Sequence, residues 1–149
     1  MTDFFEKNQK LVPLIIRVIV GVIFLLHGLG KFGVIGDGNI QGVVAMFGQL
    51  GMPAPGLTAP FVALVETLGG LALILGFGTR ISALLLAVIM LVATLAVKVP
   101  MAPNPIAPAG PMPGYELDLA LLAGLVALLF YGAGTGALDS MFGQKRTSI

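Results

Sequence analysis

The sequence predicts an all-α membrane protein, a bundle of four transmembrane helices with a short interfacial helix between the first and second. Three observations carry that reading. Hydrophobic residues make up 57% of the chain and charged residues 10%, and the mean hydropathy of +1.03 lies outside the range of a soluble domain. Four apolar stretches, Val12 to Leu29, Leu57 to Phe77, Ile81 to Val97 and Leu117 to Gly136, each approach the ~20 residues a helix needs to cross a hydrocarbon core of about 30 Å. None alternates with period two, so helices fit them better than barrel strands.

The four spans read as one domain over residues 1–149, because the chain is too short for a membrane bundle plus a soluble domain. The first stretch resembles a secretory signal only in position. Its length, the embedded Arg17 and the absence of a small-x-small cleavage site predict an uncleaved span. Between the first two spans, Gly36-Asp-Gly-Asn39 makes a turn and Asn39 is a candidate N-cap. Ile40 to Leu50, with Val43, Val44 and Phe47 at helical spacing, then forms the interfacial helix, and Gly51-Met-Pro-Ala-Pro55 ends it. The turn Gly76-Phe-Gly-Thr-Arg80 forces spans two and three into an antiparallel hairpin. Val99 to Pro113 holds six of the ten prolines and reads as an extended loop, neither helix nor central strand.

Lys7, Lys10, Arg80, Lys145 and Arg146 lie on the side of both termini and the short turn, against Lys31 and Lys98 on the other. Five against two predicts cytoplasmic termini in the inner (plasma) membrane. The balance of 8 basic and 7 acidic residues leaves no broad basic face for nucleic acid. Without cysteine there is no disulfide, thiolate metal site or iron–sulfur cluster, and one histidine excludes a bis-histidine haem within a single chain. No cofactor is intrinsic to such a chain, and no residue pattern marks a catalytic or metal site.

Topology brings His27 and Lys31, at the end of span one, level with Glu116 and Asp118 at the start of span four. Counting about 1.5 Å per residue from the same face, Glu66 lies about 12 Å deep and Arg17 about 18 Å. An unpaired charge in lipid costs about 2.5–3.5 kcal/mol, so Arg17 and Glu66 are expected to meet each other, another polar group or water; alternatively Arg17 snorkels to the interface. Arg17, Gly21, Phe24, Gly28 and Lys31 share one helical face, predicted to point inward. His27 either bonds a loop carbonyl or joins Lys31, Glu116 and Asp118 at the mouth of a site for a carbonyl-bearing ring. Gly69 and Gly70, one turn beyond Glu66, either pack helices closely or open a cavity beside the carboxylate, and Ala120 and Gly124 form a small-xxx-small pair.

Arg17 with His27-Gly-Leu-Gly-Lys-Phe32, the pair Gly51-Met-Pro53, the run Pro60 to Gly76 followed by Thr79-Arg80, Gly114-Tyr-Glu-Leu-Asp118 and Gly132-Ala-Gly-Thr-Gly-Ala-Leu-Asp139 together resemble the DoxX family of small bacterial membrane proteins. The resemblance spans nearly the whole chain. It implies a four-helix membrane domain whose relatives are linked to quinone-dependent sulfur oxidation, terminal oxidases and oxidative-stress assemblies. Arg17, His27, Gly28, Lys31, Glu66, Gly69, Gly70, Arg80, Glu116 and Asp139 match the family's recurrent polar and small positions, with Gly28, Gly69, Gly70 and Arg80 structural. The proline-laden segment Pro100 to Pro113 departs from the family's shorter, aromatic-richer one.

The expectation is therefore an accessory, non-catalytic membrane subunit of a quinone-linked oxidoreductase or oxidative-stress complex. Its ligand, a quinone, would be bound by Arg17, His27, Lys31, Glu66, Glu116 and Asp118. Its partners would be the lipid bilayer, oxidoreductase subunits and a second copy of the chain. A small proton-coupled transporter or channel using Glu66, or a membrane scaffold or assembly factor whose charges are only structural, are the alternatives.

Overall fold

The computed structural model describes residues 2–101 and 114–143, and these are helices joined by turns, with no strand among them. A short α1 (Thr2–Lys7) leads into α2 (Leu11–Lys31). Then come α3 (Ile40–Gln49), α4 (Pro55–Leu75) and α5 (Thr79–Val92). A π-helical turn, Ala93–Lys98, extends α5 into α6 (Val99–Met101). Beyond the proline segment lie α7 (Glu116–Tyr131) and α8 (Leu138–Gly143). Three helices, Leu11–Lys31, Pro55–Leu75 and Thr79–Lys98, are long and apolar enough to cross a membrane.

α2 packs along α4, α4 against α5, α5 against α7, and α7 back against α2. Val20, Phe24, Leu73, Leu86 and Leu125 fill the space between them, while Ile15, Ile19, Leu68, Leu84 and Phe130 point outward. Large apolar side chains therefore cover the outside, and the buried set includes Arg17, Glu66 and Asp118, as expected where lipid is the solvent.

The α2–α4 contact is made by backbone. A Cβ on Gly28 would stand 2.2 Å from Thr67 Oγ1 and 2.6 Å from Thr67 N; one on Gly21 would stand 2.7 Å from the Gly70 carbonyl oxygen. Only glycine permits that approach, which is how membrane helices associate without a hydrophobic drive. Gly70 fits against Leu25 backbone and Gly69 lies against the Leu86 side chain, so both glycines pack α4 closely on its neighbours. As the spacing predicts, Arg17, Gly21, Phe24 and Gly28 form the buried face of α2.

Asn39 caps α3 as expected, its side-chain oxygen accepting from the Gly42 N–H at 2.7 Å. α3 buries Phe47 and packs against α4. The Gly76–Gly78 turn closes the α4–α5 hairpin, both glycines at positive φ (67° and 54°). Two expectations need correction. The segment from Val99 is still helical as far as Met101, including Pro100; the rest of the proline loop, 102–113, lies outside the described residues. In a regular helix the Pro100 ring would clash with the Ala96 carbonyl, and the wider π turn just before it gives that carbonyl room. The fourth apolar stretch is helical only to Tyr131, because Gly132, at φ 74° and ψ −155°, takes a conformation no helix contains. Its 16 residues rise only about 24 Å. The chain then runs as non-helical backbone to α8.

Candidate functional site

Charged side chains gather at two levels: the turn end of the helices, beside Gly76–Gly78, and the opposite loop end. At the turn end Arg17 is 1% exposed. One guanidinium nitrogen donates to the carbonyls of Leu73 (3.1 Å) and Ile74, the last turn of α4. The other donates to Thr135 (3.1 Å) and Gly136 (2.7 Å), in the non-helical segment after α7. The planar fork of arginine suits such a task, and the negative end of the α4 dipole favours a cation there.

Asp139 complements it. Its carboxylate accepts from the Gly78 N–H at 2.7 Å and the Thr79 N–H at 3.0 Å, capping α5, and its own N–H donates to the Gly76 carbonyl at 2.9 Å. Burial pushes the Asp139 carboxyl up, but the Thr79 and Gly78 N–H bonds and the Arg17 charge outweigh it and hold the group below its ordinary value. Arg80 donates to the Phe130 carbonyl at 3.2 Å near the end of α7. Sequence reasoning carried Asp139 as a family position without a role. A cap reached across 60 residues leaves no local signal.

At the loop end Lys31 forms an ion pair with Glu66, which is 6% exposed. The expected Arg17–Glu66 contact does not form. Gly21 stands opposite Gly70 and Gly28 opposite Ala63 and Thr67, so Arg17 lies about two turns, roughly 12 Å, from the level of Glu66. Level span ends were the wrong premise, since α4 begins beyond the end of α2 and packs its first turns on α3. Asp118, 3% exposed, accepts from Lys98 Nζ at 2.7 Å and from Thr94 Oγ1 at 3.2 Å. Glu116 stands exposed in the first turn of α7. His27 is exposed, its Nδ1 2.8 Å from the Ile23 carbonyl oxygen of its own helix, not from a loop.

The predicted mouth is therefore divided. Lys31 and Glu66 join α2 to α4; Lys98 and Asp118 join α5 to α7. His27 and Lys31, one turn apart, line an open surface depression of about 550 Å³ together with Leu26, Ile35, Asp37 and Val43. A second groove, about 740 Å³ and almost wholly apolar, runs between α4 and α5 past Leu68, Gly69, Ala72 and Leu85. Among the described residues no three His, Asp or Glu side chains converge as metal ligands.

A family model described as DoxX matches residues 12–99, α2 through the π turn, and so includes Arg17, His27, Lys31 and Glu66. The chain belongs to the DoxX family. It is similar to a Bacillus subtilis protein named "Putative oxidoreductase CatD", with 33% identity covering 97% of this chain and 98% of that one. An uncharacterized membrane protein of Mycobacterium tuberculosis is 30% identical over 89% of this chain and 82% of its own length. An uncharacterized Haemophilus influenzae protein is 35% identical, covering 94% and 97%. No solved structure matches the chain. With three apolar helices of spanning length, this DoxX-family chain is a membrane protein.

Proposed function

We propose that this DoxX-family chain is an accessory, non-catalytic membrane subunit of a quinone-linked oxidoreductase, and that it holds a quinone headgroup in the depression beside α2. One observation carries the reading: Lys31, whose ammonium pairs with Glu66, also lines an open depression of about 550 Å³ whose apolar lining is Leu26, Ile35 and Val43. A ring bearing carbonyl oxygens fits such a lining, apolar surface for the ring and an N–H donor for the oxygen. Arg17, with four carbonyls to serve, and Asp118, with two donors of its own, hold the helices around that site and do not meet the ligand. With no cysteine and a single histidine in the chain, electrons would come from a partner; the name of the Bacillus relative agrees with such a setting.

Purification from the native membrane in mild detergent, followed by mass spectrometry of bound quinones and proteins, tests this. Stoichiometric quinone with an oxidoreductase subunit supports it, and a folded sample carrying neither overturns it. Glu66→Gln is expected to weaken quinone binding while the protein still inserts.

The same reading makes α7 the fourth crossing of a single-domain bundle, with both termini cytoplasmic. The non-helical stretch after Tyr131 would complete the depth, tolerated because Arg17 satisfies two of its carbonyls. Since the chain has no cysteine, Asp37→Cys and Ser140→Cys report directly on sidedness. A membrane-impermeant thiol reagent on intact cells should label the first and not the second; the opposite pattern overturns the orientation.

A further inference from the structure

The His27 ring carries a hydrogen-bond assignment. Nδ1 lies 2.8 Å from the Ile23 carbonyl oxygen, and a carbonyl can only accept, so Nδ1 bears the proton. In the neutral imidazole Nε2 is then a lone-pair acceptor, on the side of the ring away from that carbonyl. His27 and Lys31, four residues apart, share a helical face and line the same depression. Lys31 can only donate. The depression is thus lined by one residue that can donate and one whose Nε2 can accept, beside the apolar Leu26, Ile35 and Val43.

We infer that His27 makes this depression selective for the reduced, hydroxyl-bearing form of its ring ligand while the imidazole is neutral. The inference rests on the quinone reading above. A quinone oxygen is a carbonyl: it accepts from Lys31 but turns only lone pairs toward Nε2. A quinol oxygen is a hydroxyl, which accepts from Lys31 and donates to Nε2 at once. The hydrogen bond to Nε2 that only the hydroxyl makes is worth severalfold to about tenfold in affinity. Protonating His27 turns Nε2 into a donor, and the preference reverses, because a carbonyl then accepts from both side chains while a hydroxyl can use only its lone pairs.

The charged groups around His27 are few among the described residues. On α2 there is Lys31; the turn before α3 contributes Asp37 to the same depression; α4 contributes Glu66, paired with Lys31. α3 itself has no titratable side chain.

The test uses the full chain in lipid nanodiscs, titrated calorimetrically and without oxygen with a short-tailed benzoquinone and with its quinol. Measurements at about pH 8 and about pH 5.5 bracket the range in which imidazoles change charge. Quinol is expected to bind severalfold to about tenfold more tightly than quinone at the higher pH, with the ratio falling to one or below at the lower. His27→Gln, at an exposed position and offering both a donor and an acceptor at every pH, should bind and lose the pH dependence. A ratio that does not change with pH, or that His27→Gln leaves pH-dependent, overturns the selectivity while leaving the quinone reading standing. Binding of neither form by folded protein overturns both.

Discussion

The two ends of the helices bury charge in opposite ways. At the turn end Arg17 and Asp139 are spent on backbone: four carbonyls take the guanidinium and two N–H groups hold the carboxylate, so that together they clasp α4, α5 and the segment after α7. At the loop end Lys31 has one carboxylate partner and an open depression beside it, and its side chain keeps 24% of its exposure against 8% for Glu66. A buried charge tied to many backbone groups cannot change partners without unmaking the fold. A cation shared between one buried acid and an opening can. The difference separates a structural charge from a candidate binding group within one helix, α2.

Arg17→Leu breaks the comparison most severely. Four carbonyls lose their donor and Asp139 its counter-charge, and a loss of about 3–5 kcal/mol is expected, read as a fall in folded yield and in the thermal unfolding midpoint in detergent. Gly28→Val comes next, at about 1–3 kcal/mol, because its Cβ would enter Thr67 and α2 would have to leave α4. A midpoint unchanged from the parent would show that the two helices are not held by that contact.

Asp139→Asn should cost about 1 kcal/mol near neutrality, as for other N-caps. Its pH dependence sharpens the point. Because the folded-state value is lowered, the stability the carboxylate contributes is present above the unfolded value of about 3.9 and is lost as pH falls through the folded one. Acid unfolding should therefore flatten in Asp139→Asn, and Lys31→Met should leave this part of the profile unchanged. The smallest effects belong to the loop end. Glu66→Gln leaves a lysine long enough to reach water and costs less than about 1 kcal/mol. Glu66→Gln proving as damaging as Arg17→Leu would erase the distinction between the two ends.

Much of the fold was legible because lipid simplifies its code. Apolar length marked the three long helices, Asn39 its cap, the paired glycines around Phe77 the tight turn, and helical spacing the buried face from Arg17 to Gly28. The pairing of charges was not legible, because depth along each helix depends on where a helix starts relative to its neighbour. α4 begins while the chain still packs on α3, and that offset takes Glu66 out of reach of Arg17 and within reach of the Lys31 side chain. Lys98 and Asp118 could have been matched, as a cation ending one long helix and an acid opening the next across the loop. The role of Asp139 could not, since it requires α8 to fold back on Gly76 from the far end of the sequence.

The Arg17 clasp also sets a schedule. Thr135 and Gly136 follow Arg17 by 118 and 119 residues, so at a synthesis rate of about 5–20 residues per second their carbonyls arrive roughly 6–24 s after the arginine leaves the peptidyl-transferase centre. Leu73 and Ile74 come about halfway through that interval. Until it ends, the first long helix carries a guanidinium whose set of final partners is incomplete, and water, lipid headgroups or the insertion machinery must stand in for the missing ones. Completion of the bundle is in this way tied to emergence of the last stretch of chain. A nascent product stopped before Thr135 would hold its first helix with half of the required bonds, a state that membrane quality control could distinguish from the finished protein.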